Sequence, residues 1–285
     1  MTRRRALDRL FTAAATLSAL TAIGVLLGVL GLVVARGFGA ISWRFLTEQI
    51  RSVGAEGGIF YQAVGTAILV ATAAAVALPI AAGTGIGLVV YVPAGRLRRT
   101  LEALLHALNG VPSIVFGLVG LAFFFQALGL KKSWLSGGLL LGLMIVPTVA
   151  VAFLEKLRAI PAATVEAAVG LGLSRSRLVT SVLLPQASSG LVTGTLLGLS
   201  RAAGETAPIM FTAAIFAGAT VPHGIVDSPV LALPYHIFVL AQDSFDPRVA
   251  EKVWGTAIVL LGIVLALSLG ALPLRLKIHE EARRA

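Results

Sequence analysis

A chain of 285 residues with 57% hydrophobic and only 13% charged side chains, and a mean hydropathy of +0.94, cannot fold as a soluble domain, which carries about 25% charged residues; its solvent is lipid. The net charge of +10 would point to nucleic acid in a soluble protein, but the basic residues here lie between apolar runs, and no nucleic-acid partner is expected. With no cysteine in the chain, disulfides, Cys-ligated zinc and thiol catalysis are excluded, and no metal site is expected.

Six apolar runs are long enough to cross a hydrocarbon core of about 30 Å. The first, 11–35, follows a tail (1–10) that holds Arg3, Arg4, Arg5 and Arg9. That tail resembles a signal-peptide start, but the run is too long for a signal segment and no small-x-small cleavage site follows, so a retained span is expected. An outer loop completes residues 11–59. The second run is 60–91. The third, 100–129, is interrupted by Asn109-Gly110-Val111-Pro112-Ser113. The fourth is 135–154, the fifth 190–218 and the sixth 253–274, with a short tail at 275–285. Continuous rather than alternating apolar residues indicate helices, not a barrel, so the fold class is an all-α polytopic membrane protein with six transmembrane helices. Fifteen of the 23 Lys and Arg residues fall on the side shared by both termini, which predicts cytoplasmic termini. The pairs Gly24/Gly28, Gly138/Gly142 and Gly194/Gly198, and the triplet Gly83, Gly85 and Gly87, read as close helix contacts rather than nucleotide-binding loops. No Gly-x-x-x-x-Gly-Lys loop occurs, so ATP is not expected to bind this chain by that route.

The fourth loop, 155–189, is too long for a simple connection. Pro161 suits the start of a helix over 162–171, Gly172 can stop it in a left-handed conformation, and Ser174 can cap a second helix over 175–184 that ends before Pro185. Glu166-Ala167-Ala168, Gly172, then Val182, Leu184 and Pro185 resemble the Glu-Ala-Ala…Gly…Ile-x-Leu-Pro motif of ABC-importer permeases, with valine in place of the usual isoleucine. The resemblance implies that this loop is a coupling helix seated in a cleft of a cytoplasmic ATPase, with Glu166, Ala167, Ala168 and Gly172 as its docking positions.

The fifth run contains Arg201 and Glu205, four apart on one helix face and near the middle of the expected span. Charge at mid-bilayer must face a partner or a wet cavity. Arginine suits an oxyanion because its planar fork stays ionised and donates in parallel pairs. A closed Arg–Glu pair that fixes helix packing remains the alternative. Asn109, Ser113 and Thr206 sit at breaks that can line the same path; Pro79 and Pro147 read as simple kinks, and His106 as a structural residue. Arg201-Ala202-Ala203-Gly204-Glu205-Thr206-Ala207-Pro208 and Val111-Pro112-Ser113-Ile114-Val115-Phe116-Gly117 are similar to two segments of the phosphate-specific permeases, and the first favours their A-type (PstA) subunit.

That resemblance covers about residues 60–274 and implies a type I, MetI-like ABC-importer permease fold. It further implies a non-catalytic subunit of a bacterial inner-membrane phosphate importer. Its partners would be a homologous C-type permease forming a heterodimer, two copies of a cytoplasmic ABC ATPase, and an extracytoplasmic phosphate-binding protein. No cofactor would be bound by this chain; ATP and magnesium would belong to the ATPase. The residues alone leave open another oxyanion (sulfate, molybdate or phosphonate) and a self-contained secondary anion transporter. In the outer loop, 219–252, Asp227-Ser228-Pro229 resembles a helix start, 234–242 is an apolar helix candidate, and Asp243 and Asp246 add acidity at its end.

Overall fold

The computed structural model describes residues 2–51, 54, 56–216, 218, 221–242 and 246–270. The expected tail 275–285, with Arg275, Lys277, Arg283 and Arg284, and the acidic Asp243 lie outside the described residues.

Helix α1 (Thr2–Gly37) is followed by the short α2 (Trp43–Thr47), whose Ser42 cap accepts a hydrogen bond from the Phe45 N–H. A two-stranded hairpin, β1 (Ile50–Arg51) and β2 (Glu56–Gly57), pairs Ile50 with Gly57. Then come α3 (Phe60–Ile86), continued by a π turn over Gly87–Tyr91, and α4 (Arg96–Asn109) and α5 (Ser113–Gly120), continued by a π turn over Leu121–Ala127. The remainder is α6 (Trp134–Arg158), α7 (Ala162–Gly170), α8 (Arg175–Leu178), a π turn over Val179–Leu183, α9 (Leu184–Gly204), α10 (Ala207–Thr212), α11 (Leu233–Gln242) and α12 (Pro247–Gly270).

Five continuous helical stretches of 24 to 32 residues are long and apolar enough to span a membrane. At 1.5 Å per residue they measure about 36–48 Å. The α4–α5 pair meets the same test only when its two helices are taken together, across a bend of 98°. The expected interruption of the third run is present: Pro112 cannot donate and holds an extended ψ of 137° immediately before α5. One expected boundary is corrected. The fifth helical stretch runs over Arg175–Gly204 rather than 190–218. Pro185 does not stop it: a π turn immediately ahead, in which the Leu184 N–H reaches back to Val179, widens the helix where the proline ring would otherwise crowd a carbonyl. Pro79 and Pro147 lie inside α3 and α6.

Helices α3, α6 and α9 form the centre of the fold. Glycines on one helix receive side chains from the next. A Cβ on Gly138 or Gly142 would stand within 3 Å of Thr72 or Val76 on α3, and one on Gly194 would stand 2.8 Å from the Ala152 Cβ. The close-packing reading therefore holds for Gly138/Gly142 and Gly194/Gly198, and for Gly85 against Phe153. It is not met within the chain at Gly24, Gly28, Gly83 and Gly87, where among the described residues a Cβ would have nothing within 4 Å. Helix α1 leans on α12 at its end: Gly37 lies on the backbone of Trp254, and the Arg36 guanidinium sits 5.9 Å from the centre of the Trp254 ring.

The loop expected over 219–252 also differs from expectation at one point. Asp227-Ser228-Pro229 starts no helix; Ser228 instead ties loops, its Oγ accepting from the His223 N–H and its carbonyl from the Trp134 N–H. The apolar candidate over 234–242 does form α11, which packs on α3 and α12.

Candidate substrate path and coupling loop

Arg201 and Glu205 meet as their spacing requires, with Arg201 Nε 3.3 Å from Glu205 Oε1. Their position differs from the expected one. Helix α9 ends at Gly204, Glu205 is extended (φ −78°, ψ 126°), and α10 starts at Ala207 with Pro208 in its first turn. The pair thus occupies the broken end of a helix, not its middle. Arg201 lies in the last turn, where the helix dipole favours a cation. Its side chain is 35% exposed and that of Glu205 16%, so the pair opens onto a face of the chain instead of sealing a core. The ion pair uses Nε; among the described residues nothing bonds the two terminal nitrogens, which remain available as a two-pronged donor to an oxyanion.

The second break lies close by. Ser113 is the first residue of α5, half-buried beside Pro112. One turn on, Gly117 carries the contact between α5 and α10. A Cβ there would lie 2.8 Å from the Phe211 ring, 3.0 Å from the Ala207 carbonyl oxygen and 3.2 Å from Pro208 Cα. The segments 111–117 and 201–208, ninety residues apart in sequence, therefore touch at backbone distance. Asn109 is engaged differently: its Oδ1 accepts from Thr148 Oγ1 at 2.7 Å and ties α4 to α6. Thr206 precedes α10 and is half-buried.

Sequence reasoning missed three supports of this region. Thr148 holds Asn109. Gly117 permits the close approach just described. Lys132 donates from Nζ to the Met210 carbonyl at 2.8 Å and closes the C-terminal end of α10; burial pulls its pKa below the usual lysine value. A lysine pair at the end of an apolar run was the available signal for Lys132. Nothing local marks Thr148 as a partner of Asn109.

The segment 230–236 is pinned to α3 by a buried polar cluster. Leu231 crosses at Gly65, where a Cβ would come within 1.9 Å of the Leu231 oxygen, and Thr66 Oγ1 accepts from the Leu233 N–H at 2.9 Å. His236 is buried, stacks on Phe216 at 5.8 Å and lies 3.5 Å through Nδ1 from Gln62 Nε2. Burial, helped by the positive charge of Lys252, depresses its pKa to about 4, so the ring is neutral at neutral pH.

In the 155–189 loop, α7 presents Glu166 and Ala167 to the surroundings. Ala168 faces inward instead, buried in a cluster with Phe153, Leu178 and Leu183. The exposed apolar residues are Val169 (57%) and Leu171 (82%), which the motif did not single out. Gly172 ends α7 at φ +76° in open space. The Gly172 N–H donates to Val169 and the Leu173 N–H to Ala168, a Schellman closure. The glycine is therefore required by backbone conformation, not by crowding. Ser174 caps the next helix by accepting from the Arg177 N–H.

Residues 77–276 match the family described as the binding-protein-dependent transport system inner membrane component. The phosphate transport system permease protein PstA of Mycobacterium leprae is 30% identical over 273 residues, covering 94% of this chain and 88% of that protein. PstA of Xylella fastidiosa strain Temecula1 is 33% identical over 224 residues, covering 78% and 76%. The probable ABC transporter permease protein YqgI of Bacillus subtilis is 28% identical over 212 residues, covering 74% and 72%. An inward-facing structure of the MetNI methionine ABC transporter superposes with a TM-score of 0.60 at 19% identity, over 77% of this chain and 97% of that one, a likeness of fold. A bundle of spanning helices with two broken ends in contact, matched along most of its length by ABC permeases, is a non-catalytic multi-pass subunit: the chain belongs to the family of binding-protein-dependent inner-membrane permeases of ABC importers.

Proposed function

We propose that this chain is the A-type permease of an ATP-driven phosphate importer. The observation that carries the reading is the Arg201–Glu205 pair at the broken end of α9, partly exposed and with two guanidinium nitrogens free of described partners. The phosphate transport systems named for the relatives above support the choice of anion. Arg201 would receive the oxyanion through its terminal nitrogens, while Glu205 holds the guanidinium in place and limits residence by repelling a bound anion. A transporter needs such a weak site, since substrate must leave as readily as it arrives. Asn109 would act by fixing α4, and Ser113 and Thr206 would add hydroxyls at the two breaks.

Energy would come from a separate ATPase, present in two copies and holding ATP and magnesium; this chain would bind no cofactor. Glu166, Ala167, Gly172 and the exposed Leu171 would meet that ATPase, with Ala168 anchoring α7 from behind. A homologous C-type permease would complete a heterodimer, and a phosphate-binding protein would deliver substrate at the outer segment. Residues 60–274 would form the transporting core, 11–59 an added first span and outer loop, and both termini would be cytoplasmic in a bacterial inner membrane. Alternating access would follow from ATP binding one conformation better than the other.

The test is uptake by the reconstituted complex, with phosphate, sulfate, molybdate and phosphonate compared. ATP-dependent phosphate uptake is expected. A response to molybdate without phosphate would overturn the choice of anion, and gradient-driven flux through the chain alone would overturn the ABC mechanism.

A further inference from the structure

The described residues hold one charged network that the path and the coupling loop leave unexplained. Glu102, on α4, accepts hydrogen bonds from two arginines on two elements: Arg98 Nε, one turn earlier at 3.0 Å, and an Nη of Arg158. Glu102 and Arg98 are only 18% and 22% exposed in their side chains. Arg158 is the last residue of α6, and α7 begins four residues later at Ala162. At its C-terminal end, α4 is tied to the same helix by the Asn109–Thr148 bond. Leu105, on the intervening turn, is buried with Val149, Ala150 and Leu154 of α6. Helix α4 is thus fastened to the second half of α6 from its middle, at Glu102, to its C-terminal end, at Asn109. Immediately beyond, the chain bends by 98° at residues 110–112, and α5 then rests through Gly117 on Ala207 and Pro208.

We propose that Glu102 is a positioning residue that makes α4, the end of α6 and the coupling loop move as one body. Displacement of α7 is then delivered to the 110–112 break and, through α5 and Gly117, to α10 and Glu205. Glu102 touches no substrate; it acts through the helices it joins. Without the clasp, α7 can move while α4 stays, and ATP is hydrolysed without the path responding. The inference rests on the coupling role proposed for α7, and its physical content is a single rigid unit with a hinge at its end.

The test uses the assembled transporter, with Glu102→Gln and the conservative Glu102→Asp. The expected result for Glu102→Gln is ATP hydrolysis within about twofold of the parent, as for a substitution that spares the fold, with phosphate uptake per ATP lowered about tenfold, a usual size for coupling between linked sites. Glu102→Asp should restore much of that ratio. An unchanged ratio, or uptake and hydrolysis falling together, would overturn the proposal. A second measurement needs no transported anion. The chain has no cysteine, so Leu104→Cys/Ala159→Cys and Leu104→Cys/Leu118→Cys pairs can be spin-labelled cleanly. The 104–159 distance should stay narrow with and without ATP and broaden in Glu102→Gln, whereas the 104–118 distance should change with ATP. A 104–159 distance that shifts with ATP in the parent, or one unaffected by Glu102→Gln, would overturn the clasp. A parent complex that fails to import phosphate but keeps the narrow 104–159 distance would overturn the substrate reading alone.

Discussion

Replacing Gly117 by alanine places a methyl group where the two broken segments touch. The new Cβ would stand 3.0 Å from the Ala207 carbonyl oxygen and 3.2 Å from Pro208 Cα, both backbone atoms, and 2.8 Å from the Phe211 ring, whereas ordinary contact begins at 3.4 Å. Phe211 can swing aside, but the backbone of α10 cannot, because Lys132 holds its end at Met210 and the Ser133 N–H donates to the Thr212 carbonyl. The helices must therefore separate by roughly 0.4 Å at the carbonyl, and overpacking of this kind costs about 1–3 kcal/mol. If that cost falls on the conformation competent for transport, the lower end of the range alone slows uptake roughly fivefold. Phosphate uptake by cells carrying Gly117→Ala, normalised to permease abundance, is the assay, with the apparent melting temperature of the purified complex alongside. A fall in uptake is expected, deepening in Gly117→Val. Wild-type uptake with an unshifted melting temperature would show that the contact tolerates a methyl group and would refute the reasoning.

Three further outcomes follow from other residues. Arg201→Ala should lower phosphate uptake about tenfold to a hundredfold, as expected for losing a charge-assisted hydrogen bond of about 1.5–3 kcal/mol, while the complex still assembles; recovery of full uptake in Arg201→Gln/Glu205→Gln would make the pair purely structural. Gly172→Ala should destabilise the end of α7 by about 1 kcal/mol, because its φ of +76° is strained for alanine although no atom obstructs the methyl group. Gly172→Asn should cost less, and equal ATPase co-purification and thermal stability in all three proteins would count against the argument. His236 should make the protein acid-sensitive: its folded pKa of about 4 lies below the ordinary 6.5, so the unfolded chain takes up the extra proton between those values. Its contribution is complete above about pH 6.5 and is lost as pH falls towards 4, by up to about 3 kcal/mol. The parent should therefore lose more melting temperature between neutral and acid pH than His236→Gln, and parallel losses would remove His236 from the explanation.

Composition and the length of the apolar runs were enough to place this chain in lipid as a bundle of helices, because no soluble fold can bury so many apolar side chains. Local rules also sufficed for the left-handed stop at Gly172, the Ser174 cap and the meeting of Arg201 with Glu205, each of which depends on residues within one or two turns. Tertiary structure decided what local rules leave degenerate. Pro185 reads as a helix end, yet a π turn over Val179–Leu183 carries the helix through it, and the extended Glu205 after Gly204 leaves Arg201 in the last turn of α9. Glycine pairs of identical spacing proved different, Gly138/Gly142 being filled by α3 while Gly24/Gly28 faces open space, because spacing fixes a face and not what lies against it. Ala168 belongs to the exposed-looking motif but packs inward, and Leu171 takes the outer position. The contact of Gly117 with Ala207 and Pro208, and the fastening of Glu102 to Arg158, join residues fifty to ninety positions apart; such meetings are set by how helices cross, which the hydrophobic pattern of any one helix does not encode.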